Sequence, residues 1–126
     1  MGTMGSDLTL LPFGSTLDIA VRFFSHTILN LERRRELWPL IDEIEERFGR
    51  DVPHGFTSFL GRQDNGEHGY GDTMRTPYDD NLKYVEARHL KPLKDHSLVQ
   101  DNYLNRAAWA YLEQLPDDLP IALYWH

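Results

Sequence analysis

The most regular alternation of apolar and polar positions lies between Asp101 and Leu115. There Leu104, Ala107, Ala108, Tyr111, Leu112 and Leu115 recur at offsets of 3, 4, 7, 8 and 11, the spacing of one helical face. Pro116 ends the segment, and Asp101 or Asn102 can cap its first turn by accepting from backbone donors that have no partner inside the helix. The loop PDDLP then feeds a segment in which Ile121, Leu123 and Trp125 alternate with Ala122, Tyr124 and His126. Large apolar groups on both sides predict a strand interior to a sheet.

Upstream, Leu37, Leu40, Ile41, Ile44 and Phe48 form a stripe that predicts helix from Thr27 to Phe48, with Gly49 as its stop. Pro39 lacks a donor and its ring collides with the carbonyl of Arg35, which predicts a kink or a fresh start near Trp38. Asp42, Glu43, Glu45 and Glu46 look away from the stripe, and the pairs Glu43–Arg47 and Glu46–Arg50 sit at the favourable i,i+4 spacing. Residues 17–24 fit a strand or a helix, and their β-branched residues and two phenylalanines favour the strand. Phe56–Leu60 and Leu82–Glu86 read as short strands, and Ala87–Leu93 as a brief helical segment broken by Pro92. Strands and helices follow no regular βαβ rhythm and no repeat or linker divides them. The expectation is one α+β domain over residues 1–126, a small, mainly antiparallel sheet of three to five strands packed on two or three helices. Residues 1–7 are read as lying outside the folded unit.

Composition narrows the function. A chain of 126 residues with 40% hydrophobic and 26% charged positions has the size and balance of one globular core. Cysteine is absent, which excludes disulfides, thiolate metal sites and cysteine nucleophiles and makes a reducing cytoplasm the expected home. No apolar run approaches the roughly 18 to 20 residues that cross a bilayer, so no membrane partner is expected. A net charge of −7 repels phosphate backbones, which argues against nucleic acid held through its phosphates. Arg33, Arg34 and Arg35 are consecutive, and Arg88, Lys91 and Lys94 recur at helical spacing. Acids stand near both groups, so solvated helix faces are the reading.

The polar stretch GRQDNGEHGYGD, residues 61–72, is the densest candidate chemistry. Asp64-Asn65-Gly66 is first of all a turn signal, because asparagine and glycine tolerate positive φ. It fails as a calcium loop, since the glycine follows the first acid too soon and no closing glutamate stands at the end. It fails as a dinucleotide loop, since Gly69 and Gly71 are followed by Met74. What survives is a divalent-metal reading for His54, Asp64, His68 and Asp72, and an acid–base reading for His68 beside Glu67 and Asp72. Neither matches a recognised spacing, and a plain hairpin and loop is preferred to both. His89 and His96 are separated by Pro92 and make no ligand pair. HExxH, Walker and GxSxG patterns are absent. No cofactor is expected.

Trp109 falls more than 100° from the apolar stripe of the last helix, beside Asn102, Asn105, Arg106 and Glu113, at about 100° per residue. Either another segment covers the indole or it anchors a contact with another molecule. His126 could present an imidazole at the end of a strand as a ligand handle, a role not assigned to catalysis. The leading expectation is a non-enzymatic domain that binds a protein partner or itself through Asn102, Asn105, Arg106 and Trp109. Its rivals are a small metal- or ligand-dependent hydrolase built on the loop at 54–72, and an acidic inhibitor imitating nucleic acid with the helix end at 42–51.

Overall fold

The computed structural model describes residues 7–15, 23–53, 56–57 and 81–126. Its strands are β1 (Leu8–Ser15), β2 (Phe23–Ser25), β3 (Leu29–Asn30), β4 (Arg50–Asp51), β5 (Phe56–Thr57), β6 (Lys83–Glu86) and β7 (Pro120–Trp125). The helices are α1 (Trp38–Phe48), α2 (Ala87–Leu90), α3 (Ser97–Gln100) and α4 (Tyr103–Glu113), with a 3-10 turn at Lys91–Asp95 between α2 and α3. The strands join in the order β4-β6-β7-β1-β2-β5, with β3 also on β1. Among the described residues every pairing is antiparallel except β2 with β5. The fold is α+β with a mainly antiparallel sheet, somewhat larger than the expected three to five strands and carrying one more helix than expected.

β1 is the strand on which the sheet is organised. Leu8 and Leu10 face one apolar cluster while Leu11 and Phe13 face another, so both sides of the strand are buried. Pro12 is the last residue paired with β7, and on the opposite edge its carbonyl accepts from His26 N–H at 2.6 Å, between the stretches paired with β3 and β2. A missing N–H is harmless at such an interruption of the ladder. β2 and β3 lie along the edge of β1 away from β7. Leu10 pairs Leu29 and Phe13 pairs Ser25, so three residue steps on β1 oppose four on the partner. The two short strands are therefore one strand interrupted by a one-residue bulge at 26–28.

This arrangement corrects the helical reading of residues 27–37. The helix starts afresh at Trp38, because Pro39 stands in the first turn, where a backbone donor has no partner to lose. Before it, Leu29–Asn30 is strand, held by the Thr9 hydroxyl on Asn30 Oδ1 at 2.8 Å and by Leu31 N–H on the carbonyl of Leu8 at 3.2 Å. Of the expected strand at 17–24, Phe23 and Phe24 are strand, and the remainder lies outside the described residues. β6, α2 and β7 fall where expected, and β7 is interior, between β6 and β1.

The core has two parts, one on each face of the sheet. The larger holds Leu8, Leu10, Val85, Ile121, Leu123 and Trp125 from the strands against Trp38 and Ile41 of α1, Leu90 of α2, and Ala108, Trp109 and Leu112 of α4. The smaller holds Leu11, Phe13, Val52, Phe56, Leu82 and Ala122, with the Phe13 and Phe56 rings edge-on at 5.0 Å. Asp7, expected to lie outside the folded unit, instead extends the sheet by exchanging backbone hydrogen bonds with His126 at 2.7 and 2.9 Å. Among the described residues no helix is long and apolar enough to cross a membrane.

Candidate functional site

α4 departs most from its expected orientation. Asn102 caps it, its side-chain oxygen accepting from the backbone of Leu104 at 2.8 Å and Asn105 at 3.2 Å. The buried residues of the helix are Asn105, Ala108, Trp109 and Leu112. At about 100° per residue this arc is turned roughly 80° from the apolar stripe read in the sequence. Trp109 is 1% exposed, and its indole N–H donates to the carbonyl of Leu90 at 2.8 Å. Asn105 is equally buried. Its Oδ1 accepts from Glu32 N–H at 2.8 Å and its Nδ2 donates to the Glu32 carbonyl at 3.3 Å, matching both polar groups of one residue.

The expected contact face of Asn102, Asn105, Arg106 and Trp109 is therefore corrected. Asn105 and Trp109 are sealed inside the molecule, Asn102 is spent on the cap, and Arg106 alone is fully outward, donating to the Gln100 carbonyl at 2.7 Å. Covering of the indole comes from within the larger core cluster. Conversely, Leu104, Ala107 and Tyr111, expected to face the core, are outside. Tyr103 is 68% exposed, Leu104 40% and Tyr111 39%. Tyr103, Ala107 and Tyr111 stand at i, i+4 and i+8, so with Leu104 they form one continuous outer stripe.

Among the described residues, clefts lie elsewhere. One of about 300 Å³ is lined by Arg47, Phe48, Gly49, Arg50, Tyr84, Val85, Glu86 and His89. Phe48 and His89 stack within it at 4.0 Å and 7°. His89 Nδ1 accepts from Glu86 N–H at 3.2 Å, one half of a reciprocal cap at the start of α2. Burial is the main force pushing the His89 imidazole below its ordinary value, with Glu86 opposing it and Arg88 reinforcing it. The second cleft, about 280 Å³, includes Thr9, Asn30, Arg33 and His126. There the Thr9 hydroxyl stands 2.9 Å from His126 Nε2 and His126 stacks on Tyr124. The single hydroxyl proton is directed at Asn30 Oδ1, so this group acts as a tie between strand ends.

His96 Nδ1 accepts from Leu98 N–H at 3.1 Å and caps α3, so His89 and His96 each serve a separate helix start. Among the described residues no group of three or more histidine, aspartate or glutamate side chains could hold a metal ion. His54, Asp64, Glu67, His68 and Asp72, which carry the metal and acid–base expectations, lie outside the described residues. Acids pair with most of the two basic groups: Arg33 with Asp7, Arg34 with Asp101, Arg88 with Glu86, Lys91 with Asp117 and Lys94 with Glu113. But Arg33, Arg34 and Arg35 precede α1 and form no helix face, and among the described residues the expected pairs Glu43–Arg47 and Glu46–Arg50 do not form. On α1, Glu43 and Glu46 face solvent, but Glu45 does not look away. It accepts from the Trp125 indole at 2.7 Å, and burial pushes its carboxyl above the ordinary value. No protein-family model matches the chain, and no curated protein or solved structure matches it.

Proposed function

We propose that the protein is a non-enzymatic, self-associating domain, and that the outer stripe of α4 is the surface on which two copies meet. The observation that carries this reading is the exposure of Tyr103, Leu104, Ala107 and Tyr111 along one side of a helix whose other side is already committed to the core. A helix apolar on nearly its whole circumference is normally covered all round. Exposed aromatic residues are also those that most often anchor contacts between proteins.

A second copy is the occupant favoured by the order of the side chains. Tyr103, Ala107 and Tyr111 read the same in both directions about Ala107. A two-fold contact needs a patch complementary to itself, and two antiparallel α4 helices crossing at Ala107 would set each Tyr103 beside the other copy's Tyr111. The small central residue allows close approach of the axes. Charge does not oppose it there: Glu113 is neutralised by Lys94 at 3.3 Å, and the acids of α1 belong to another element. One helix pair buries less than a standard interface, so association is expected to be weak, with a Kd on the order of 100 μM.

The absence of cysteine from the chain makes a single-cysteine test unambiguous. Ala107→Cys under mild oxidation should give a disulfide-linked dimer, because a two-fold axis at that position brings the two Cα atoms within bridging range. Ala110→Cys, on the same exposed helix but off the axis, should link far less. Equal and slow linking at both positions would refute the two-fold contact.

A further inference from the structure

The cleft at the end of α1 has a composition that self-association does not use. Gly49 closes the helix with its N–H on the Glu45 carbonyl at 2.7 Å, and a Cβ there would stand 2.4 Å from that same oxygen. Glycine is thus required at this turn, and the turn brings Arg47 of α1 and Arg50 of β4 to one cleft. Arg50 pairs in register with Tyr84 of β6, and the cleft continues along that strand to His89 of α2. The Arg47 guanidinium lies 5.4 Å from the centre of the Phe48 ring, which in turn stacks on His89. Such a column holds a cation and an imidazole in place before any ligand arrives.

Charge is distributed unevenly around this site. Arg33, Arg34, Lys83, Arg88, Lys91 and Lys94 each contact a carboxylate, whereas among the described residues Arg35, Arg47, Arg50 and Arg106 have no ion-pair partner, and of these Arg47 and Arg50 line one cleft together. Among the described residues the acid lining the cleft is Glu86, whose Oε1 is taken by Arg88 Nε at 2.8 Å. In a chain of net charge −7, two guanidinium groups left without carboxylates in a single recess mark a local reversal of sign. His89 adds a donor: its Nδ1 is occupied as an acceptor from Glu86 N–H, so the proton of the neutral ring sits on Nε2.

We propose that this cleft binds a small oxyanion, a phosphate or carboxylate group, between Arg47 and Arg50 with His89 as a third donor. Guanidinium forks suit both anions, since each offers paired oxygens to parallel N–H groups. The volume of about 300 Å³ admits a small metabolite and lies at the lower end of ligand sites.

Titration of the intact chain at low ionic strength, followed residue by residue in amide nuclear magnetic resonance spectra, tests this with inorganic phosphate in one arm and succinate in the other. The expected result is saturation in the low millimolar range by one or both anions, with shifts centred on Gly49, Arg50 and His89. Saturation by one alone identifies the anion class. Both arginines are exposed, so Arg47→Gln and Arg50→Gln should fold normally and each weaken binding by about tenfold. Shifts that never saturate, that chloride reproduces at equal ionic strength, or that survive the double substitution overturn the proposal.

Discussion

Asn105 is buried because its amide satisfies both backbone polar groups of Glu32, and that single side chain explains why α4 is turned from its apparent face. Hydrophobic periodicity counts asparagine as a surface residue; here a side-chain amide against a peptide group is as well paired as backbone in a sheet. Asn105→Ala should therefore lower unfolding free energy by about 2 kcal/mol in a urea titration, whereas Arg106→Ala should stay within about 0.5 kcal/mol. If the two asparagines and Trp109 formed an outer contact face instead, both substitutions would leave stability alone. Ser25 presents the opposite case. Among the described residues its buried Oγ has no hydrogen-bond partner, so Ser25→Ala should be neutral or stabilising by about 1 kcal/mol. A loss of stability on that substitution would show that the hydroxyl is satisfied.

Three of the described helices begin on side-chain groups: Glu86 with His89 at α2, His96 at α3 and Asn102 at α4. Protonation of His89 places a proton on the nitrogen that accepts from Glu86 N–H, so the α2 cap and the imidazolium are incompatible. The folded imidazole titrates below its ordinary value of 6.5. As pH falls, the unfolded chain takes up that proton first, so this contribution is complete above about pH 6.5 and is lost as pH falls through the lower folded value. His89→Gln should flatten the stability profile across that interval, and an unchanged profile would contradict it. Glu45 works in the other direction. Its carboxyl is raised chiefly by burial, so its penalty appears as pH rises through the carboxylate range. Glu45→Gln keeps an acceptor for the Trp125 indole and should raise stability at pH 7 more than at pH 4. β6, β7 and the start of α1 at Pro39 were legible because proline, β-branched residues and strict alternation agree there. β1 was not: in LTLLPFGS the leucines carry no strand preference and Pro12 and Gly14 read as a turn. What makes it a strand is long-range pairing with β7 and β2, which local pattern does not encode.

At the level of the whole molecule, one sheet supports two clusters, and all three tryptophans, Trp38, Trp109 and Trp125, are buried in the larger. Their emission should be blue-shifted in the native state and move red in a single step on unfolding. The class of fold was readable from interspersed elements and a single core, while the candidate site was not. Its expected residues divided between the interior of α4 and a loop outside the described residues, and what replaced them depended on which side of one helix the core had already taken. The outer stripe of α4 is the feature on which the functional account rests. Sedimentation equilibrium of the native chain, compared with Tyr103→Glu and Tyr111→Glu over a concentration range reaching about 1 mM, tests it most directly. The account predicts a rise in average mass towards the dimer for the native chain and a monomer throughout for both variants. A native chain that stays monomeric over the whole range, or tyrosine variants that associate as the native chain does, would contradict it.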